Sequence, residues 1–596
     1  MHSFAVWAPR VNSCRVQVSH AAEYPMEQQA HGWWTANAVD AKHGDDYAFL
    51  LDDDPKPYPD PRSPWQPNGV HQSSRVLDHS LFPWTDRDWS PPSLSQAVIY
   101  ELHVGTFTPE GTFEAAIERL PYLRSLGITH VELMPVNSFP GRWGWGYDGA
   151  ALYAPQEQYG GPQGLKELVD ACHATGLAAV LDVVYNHFGP VGNYTGKFGP
   201  YLTESHHTPW GGAVNLEEAG SDEVRRFFCD NALMWLRDYH FDGLRLDAVQ
   251  TFVDRSARHF LEQLSEEVEA LSKQLGRGLV LIAESDLNDP HIVIPRVASL
   301  EMAAPRTADQ QPCECISGGY GMDAQWSDDF HHALFALLTG ERHGYYSDFG
   351  SLAQLAKSLS SVFVYDGQYS EYRGRTHGRP VQCLSAHSFL GYIQNHDQVG
   401  NRPFGDRLHA EAGTQRARLA AALVITAPFL PMIFQGEEFA ASSPFLYFAD
   451  HDDPELARAV SEGRRKEHAQ GRPWESIPDP EAQRTFEISR LRWQDVNEPA
   501  HAEMLEWYRS LIQLRKSQPS LLDGNLESQQ VDFDETQLWL TLQRGQMRMF
   551  YNFSEDQITL PLTGHNTLML ASGTDVSIND GAIVLPGLAF ATLAET

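Results

Sequence analysis

Leu165-Lys-Glu-Leu-Val-Asp-Ala-Cys-His-Ala174 spaces its apolar residues along one helical face, Gly176 closes it, and Ala178-Ala-Val-Leu-Asp-Val-Val184 follows. Apart from Asp182 the second stretch is apolar throughout. A strand covered on both faces reads that way, whereas a half-solvated strand alternates. The couplet recurs in both directions. Upstream, 113–126 carries Ala116, Ile117, Leu120, Leu123 and Leu126 as a helical stripe, ended by Gly127 and followed by Ile128-Thr-His-Val-Glu-Leu133. Downstream, a helix over 222–239 precedes Gly243-Leu-Arg-Leu246, and one over 254–275 precedes Leu279-Val-Leu-Ile-Ala283. Gly391-Tyr-Ile-Gln394 and Pro431-Met-Ile-Phe434 continue the theme. Repetition over 91–527 predicts an α/β fold, a (β/α)8 TIM barrel with long inserted loops. A doubly wound open sheet is the alternative, but no G-x-G-x-x-G turn follows the first strand and there is no Walker loop.

The flanks have a different texture. Residues 1–90 hold short alternating runs such as Cys14-Arg-Val-Gln-Val18, then turn-rich pieces such as Tyr58-Pro-Asp-Pro-Arg-Ser-Pro64, and predict an N-terminal β-sandwich. Residues 528–596 repeat the pattern in Leu538-Trp-Leu-Thr-Leu542 and Met547-Arg-Met-Phe-Tyr551, and predict a C-terminal antiparallel β-domain.

The 596 residues carry 44 Lys and Arg against 78 Asp and Glu, a net charge of −34 that argues against nucleic-acid binding. A neutral substrate is easier to accommodate. Six scattered cysteines, with only Cys313 and Cys315 close together, suggest reduced thiols in a cytoplasmic protein. The start, MHSFAVWAPR, has no signal-peptide character. The longest largely apolar run, 419–434, is broken by Pro428 and Pro431 and too short to span a membrane.

Position is the informative property of the acids. Several middle-zone strands run into a carboxylate: Leu181-Asp182, Leu246-Asp247, Ala283-Glu284 and His396-Asp397. In a β/α barrel all strand ends open onto one face, so these acids converge with Arg245, His187 and His396. One such acid is ordinary helix capping. Several together favour chemistry, although ion-pair networks also gather carboxylates. Glycoside hydrolysis needs a pair of carboxyl groups and no Ser or Cys nucleophile. Metal-assisted hydrolysis stays open, weakened by the lack of an H-E-x-x-H pattern.

At these residues the chain resembles the α-amylase superfamily, whose four short regions match Asp182-Val-Val-Tyr-Asn-His187, Gly243-Leu-Arg-Leu-Asp-Ala-Val249, Ala283-Glu-Ser285 and Asn395-His-Asp397 in order. The start Phe4-Ala-Val-Trp-Ala-Pro9 is similar to the N-terminal domain of its branching and debranching members. The resemblance implies Asp247 as nucleophile, Glu284 as general acid/base and Asp397 as the third acid, which binds sugar hydroxyls. It implies that Arg245 keeps Asp247 ionised, and that His187, His396 and Asp148 touch the sugar at the cleavage point. Packing is the alternative for the histidines, and a purely structural ion pair for Arg245. The region of Asn186 supplies a calcium ligand in many amylases. No other ligand is identifiable, and the expectation is that no metal or other cofactor is needed.

Met134-Pro-Val-Asn-Ser-Phe-Pro-Gly-Arg-Trp-Gly-Trp-Gly-Tyr-Asp-Gly149, Gln66-Pro-Asn-Gly-Val-His71, Trp326-Ser-Asp-Asp-Phe-His-His332 and Asn395-His-Asp-Gln-Val-Gly-Asn-Arg402 are similar to stretches of the maltooligosyltrehalose trehalohydrolase family within that superfamily. Such enzymes cut the α-1,4 bond next to a terminal trehalose. The resemblance sets Leu246, Gln250, Asp328, Asp329, Phe330, His331, His332, Gln398 and Asn401 beside the substrate. N-capping of the following helix is the alternative for Asp328 and Asp329. It also implies a synthase, maker of the trehalose-ended chain, as functional partner. Ala150 replaces a stacking tyrosine found in many amylases, so Trp143, Trp145, Tyr147 and Trp210 are candidate platforms. A glycogen branching or debranching enzyme is the competing reading within the superfamily. A non-catalytic glucan-binding protein is the competing reading outside catalysis, disfavoured because all three acids are present.

Overall fold

The computed structural model describes residues 2–19, 22–296, 317–469 and 473–595. Eight parallel strands close into a barrel: β1 (Ile99–Leu102), β2 (His130–Leu133), β3 (Ala178–Val183), β4 (Gly243–Leu246), β5 (Val280–Ala283), β6 (Ala324–Trp326), β7 (Phe389–Gly391) and β8 (Leu430–Phe434). They pair in chain order, and β8 returns to β1 through Met432 opposite Ile99. Among the described residues helices follow seven of the strands: α1 (Leu120–Leu126), α2 (Gly161–Thr175), α3 (Ser221–Asp238), α4 (Phe260–Leu275), α5 (Asp328–Thr339), α6 (Thr414–Thr426) and α7 (Pro499–Ser517). The β5–β6 connection passes partly outside the described residues. The chain is therefore the expected TIM barrel.

Local chemistry explains the boundaries. Gly176 ends α2 in the left-handed region at φ 80°, where a side chain would be strained, and turns the chain back into β3. The expected helix over 113–126 is two helices, Phe113–Ile117 and α1. Pro121 lies in the first turn of α1, where its missing N–H is harmless, so a helix begins there and does not continue through. The helix expected from 254 begins at Phe260, because Asp254 accepts hydrogen bonds from Arg225, Ser256 and Phe260 and holds the preceding loop. The seventh strand ends at Gly391, not Gln394, because Asn395 caps a short helix, His396–Gly400, right after it.

The barrel interior changes character along its axis. Ile99, Val180, Ile282, Leu390 and Met432 fill the end where the strands begin. One step further along, Glu101 lies opposite Glu132 across β1–β2, and Asp182 opposite Arg245 across β3–β4, all four buried. A polar layer under the C-terminal mouth must be paired or neutral to be tolerated.

Two sheets precede the barrel, one of His2–Trp7, Trp33–Val39 and Glu27–Gln28, the other of Ala22–Pro25, Cys14–Val18, Asp46–Leu51 and Ser74–Arg75. Two antiparallel sheets of five and three strands follow it, built from Gln529–Asp534 onward. Among the described residues no helix is long and apolar enough to cross a membrane. The 419–434 run is divided between α6 and β8. Cys14, Cys172 and Cys229 are buried free thiols. Cys383, however, is disulfide-bonded, which corrects the expectation of thiols throughout. It lies exposed on a left-handed turn at φ 56°, without the apolar packing that shelters the other three. Cys313 and Cys315 lie outside the described residues.

Candidate active site

Arg245 organises the barrel mouth. It sits on β4 with its side chain wholly buried and its guanidinium 4.2 Å above the Trp326 ring of β6. Nη1 donates to both carboxyl oxygens of Asp182 at 2.8 and 2.7 Å and to Asp247 Oδ1 at 3.1 Å. Nη2 lies 3.0 Å from Glu284 Oε2. One rigid cation thus grips acids from the ends of three adjacent strands, a geometry that suits the planar fork of arginine.

Asp247 and Glu284 follow β4 and β5 directly. Asn186 Nδ2 donates to Asp247 Oδ2 at 2.9 Å, and the Ala248 N–H donates to Glu284 Oε2 at 2.8 Å. Ala248 holds φ 41°, an unfavourable left-handed turn for a residue with a side chain, and this turn aims its N–H at Glu284. Burial raises both acids above the usual carboxylate range. Arg245 opposes burial at both, the charge of Asp182 adds to the rise at Asp247 and that of Asp247 to the rise at Glu284, and the hydrogen bonds from Asn186 and from the Ala248 N–H favour the two carboxylates.

Behind the pair runs a second network. His396 Nδ1 lies 2.5 Å from Glu101 Oε1, its backbone N–H donates to Glu101 Oε2 at 2.8 Å, and its Nε2 meets the Tyr147 hydroxyl at 2.8 Å. Tyr147 donates to Asp182 Oδ2 at 2.7 Å, joining the histidine to the Arg245 cluster. Burial alone would lower His396, but Glu101 overrides it and raises the ring to about 9, so it is an imidazolium at neutral pH. Asp397, next in sequence, opens the short helix and accepts from Asn401 Nδ2. Its carboxyl is raised by burial, opposed by His396.

Residues 77–203 match the family model of the alpha-amylase catalytic domain. The chain is 44% identical over 602 aligned positions to a malto-oligosyltrehalose trehalohydrolase of Rhizobium sp. (strain M-11), covering 99% of this chain and 97% of that one. It is 45% identical over 602 positions to the protein of that name from Mycobacterium tuberculosis, covering 100% and 99%. The chain belongs to the malto-oligosyltrehalose trehalohydrolase family. A 1,4-alpha-glucan branching enzyme of Pseudoalteromonas atlantica is 33% identical over only 42% of this chain. A Salmonella typhimurium structure provisionally assigned as an alpha amylase superposes with a TM-score of 0.88 at 35% identity, covering 100% and 97%. A pullulanase complexed with maltotetraose, from Anoxybacillus sp. LM18-11, reaches 0.71 at 18% identity over 100% and 86%, and shares the fold.

For a member of the trehalohydrolase family, the remaining expected substrate residues divide sharply by surroundings. Asp148 is 33% exposed at the mouth. Asp328 is bonded by the Tyr392 hydroxyl and raised by burial to about 8, which makes it a neutral acid at pH 7. Gln250 has a buried Oε1 with no protein partner. Gln398 accepts from Tyr346 at 3.2 Å, and Asn401 is exposed. Asp329 instead faces inward, accepting at 2.8 Å from Asn288 Nδ2 and from the N–H groups of Val364 and Tyr365. Neither Asp328 nor Asp329 caps α5. Ser327 occupies that place without a side-chain cap, and both acids lie in the first turn.

Leu246 and Phe330 are fully buried, and His331 is buried with Nε2 on Tyr346. His332 is buried against Phe349, and burial lowers it to about 3. Of the candidate platforms, Trp143 and Trp145 pack among Phe434, Phe445, Phe448 and Phe486. Trp210 is 48% exposed on a hairpin of Leu202–Thr208 and Gly211–Val214, its ring stacked at 4.6 Å on His187. The His187 ring nitrogens meet two acceptors, Asn186 Oδ1 at 2.7 Å and the Tyr147 carbonyl at 3.0 Å. A neutral ring satisfies one of them, and burial lowers this histidine.

Asn186 spends its amide on Asp247 and its oxygen on His187. Among the described residues no group of three or more His, Cys, Asp or Glu is arranged to hold a metal ion beside it. Glu101 and Tyr147 complete the site. Glu101 shows the same signal as Asp182, a lone acid inside an apolar strand, so the rule that found Asp182 would have found it too.

Proposed function

We propose that the protein is a retaining glycoside hydrolase that cleaves the α-1,4-glucosidic bond beside the terminal trehalose of a maltooligosyltrehalose, releasing trehalose. The observation that carries this reading is the pair of Asp247 and Glu284 at neighbouring strand ends, both held by one Arg245 guanidinium at 3.1 and 3.0 Å. Two acids gripped by one guanidinium suit the narrow spacing of retaining enzymes, about 5–5.5 Å, better than the wider gap of inverting ones. Glu284, the protonated member, gives its proton to the glycosidic oxygen while Asp247 attacks the anomeric carbon and the bond to trehalose breaks. Glu284, now a carboxylate, takes a proton from water, whose oxygen displaces Asp247 and frees the glucan. The positive charge of the transition state develops against Asp247 and Asp397, while His396, bonded on both ring nitrogens to Glu101 and Tyr147, fixes Tyr147 beside the reacting ring.

The name shared by the relatives supplies the substrate class. The 44–45% identity over whole chains favours the trehalohydrolase over the branching reading, which rests on a partial match. In the same reading residues 1–90, 91–527 and 528–596 are three units, the protein works in the cytoplasm, and a synthase that makes the trehalose end supplies it. Arg245, Leu246, Gln250, His187, Asp148, Asp328, Asp329, Phe330, His331, His332, His396, Gln398 and Asn401 line or support the sugar site. Incubation with maltooligosyltrehalose tests it: free trehalose is expected from the native protein, and none above about 10⁻³ of that rate from Asp247→Ala or Glu284→Gln. Native folding of both variants with near-native rates contradicts it. Longer branched products would make the protein a transferase.

A further inference from the structure

The segment Gly141-Arg-Trp-Gly-Trp-Gly-Tyr-Asp148, after β2, reaches the sugar site only with its last two residues. Its earlier residues are fastened to the loop that follows β8. Trp143 Nε1 donates to the Ala449 carbonyl at 3.2 Å, Trp145 Nε1 to the Leu446 carbonyl at 2.9 Å, and the Arg142 N–H to Asp450 Oδ2 at 2.8 Å. Gly141 lies so near that a Cβ on it would stand 1.9 Å from the Asp450 carbonyl oxygen. Backbone touches backbone, and only glycine fits.

This fastening delivers His451 to Asp148. The His451 side chain is 4% exposed. Its Nδ1 lies 2.7 Å from Glu481 Oε1, and its backbone N–H donates to Glu481 Oε2 at 3.0 Å, so both carboxyl oxygens of Glu481 are used to fix one residue. On the other side, Nε2 lies 3.6 Å from Asp148 Oδ2. That gap is too long for a direct hydrogen bond and well within Coulombic reach. Burial by itself would lower the ring, but Asp148 and Glu481 override it and hold His451 at about 10. Other ionisable groups nearby are Tyr147 and His187 beside Asp148, Tyr447 and Asp450 on the β8 loop, Arg142 on Asp450, and Arg464 over Tyr447.

We propose that His451 is a positioning residue of the catalytic site, anchored by Glu481 and aiming the Asp148 carboxylate at the hydroxyls of the glucosyl unit being cut. The role deepens the proposed function and rests on Asp148 touching that sugar. Asp148 is exposed to the cleft and has no other charged partner within ion-pair distance among the described residues. Without His451, nothing of opposite charge would hold it when the cleft is dry. Glu481 lies before the helix Gln483–Ile488, outside the barrel, so the relay ties an inserted segment to the reaction centre.

The test combines kinetics with direct titration of the ring. His451→Gln is expected to lower kcat/KM about 10- to 100-fold and Glu481→Gln about 3- to 10-fold. The double variant His451→Gln with Asp148→Asn should be no slower than Asp148→Asn alone, because both remove one interaction. In the native protein the His451 ring should titrate well above pH 8 by NMR, and in Asp148→Asn at lower pH. Losses that multiply in the double variant, a His451→Gln rate within twofold of native, or a ring titrating near 6.5 would each overturn the proposal. If His451→Gln does not fold, Glu481→Gln and the native titration decide. Failure to release trehalose would strike the proposed function alone, since the titration needs no substrate and the cycle can be run on any α-1,4-glucan that the protein cuts.

Discussion

Arg245 shows why the site must be understood one charge at a time. A guanidinium with no exposure would be costly alone, and Asp182, Asp247 and Glu284 beside it would be costly without it. The sign of the pH dependence follows from the different parts the two acids play. Activity needs Glu284 protonated and Asp247 ionised, so it falls at high pH as the pair loses its last proton and at low pH as it gains a second. Burial raises both groups, so the whole bell is displaced upward from the range of solvated carboxylates. His396 adds a separable prediction. Glu101 keeps it charged, with a value of about 9, against burial that would make it neutral. Glu101→Gln should therefore cost about a hundredfold in kcat at pH 7.5, and part of the loss should return as pH is lowered toward 5 and the ring regains its proton. A uniform loss at every pH in the kcat profile would mean that Glu101 acts through packing only. Asp247 and Glu284 stand out in the sequence because each follows a short strand-like run, whereas Asp397 follows the polar Gln394-Asn-His396 and is marked only by its motif. Asp329 does not stand out: it has the same sequence environment as Asp328, and only the fold turns it inward to Asn288, Val364 and Tyr365.

Among the elements, strands and helices of the barrel could be read from periodicity, and loops could not. Periodicity places six of the eight strands to within three residues, since short apolar runs between turn residues leave few alternatives. The first strand was passed over because Ile99-Tyr-Glu-Leu102 is short and holds an acid, and the sixth because Ala324-Gln-Trp326 is only three residues long. The aromatic platforms were undecidable for a related reason. Trp143, Trp145 and Trp210 have equivalent side chains, and only burial separates the two that pack from the one that faces the cleft. The hairpin that carries Trp210 over His187 should bind sugar by stacking and take no part in bond breaking. Trp210→Ala is expected to raise KM about 3- to 10-fold, the worth of one aromatic contact, with kcat within twofold. A large fall in kcat at unchanged KM would move Trp210 into the chemistry.

Across the whole molecule, the segment between the N-terminal sheets and β1 is clasped to the barrel wall. His173 of α2 stands between Asp86 at 2.8 Å and Asp242 at 3.0 Å, all three nearly unexposed, and Trp89 stacks on its ring at 4.6 Å. Asp86 also holds His240, which stacks on Trp84 at 3.7 Å. Burial would lower His173, but the hydrogen bonds it donates to Asp242 and Asp86 raise it, while those Asp86 accepts from His173 and His240 lower Asp86 against burial. A raised histidine contributes stability that is complete below its unfolded value, about 6.5, and is lost as pH climbs through the folded value. A lowered aspartate contributes above its unfolded value, about 3.9, and loses that only as pH falls through the folded one. The clasp should be strongest between these limits. His173→Gln is expected to cost about 3 kcal/mol at pH 5.5 and less at pH 9, measured by denaturant unfolding. An equal cost at both pH values would show that the charge on the ring is irrelevant. None of this was visible beforehand, because Asp86, His173 and Asp242 come from three distant stretches with no shared motif. The bond that must form between protein and sugar is open to direct observation. When Glu284→Gln protein is given an activated α-glucosyl donor and digested, mass spectrometry should find one glucosyl ester, on Asp247. An ester on another acid, or none together with a released glucan of inverted anomeric configuration, would contradict the retaining mechanism.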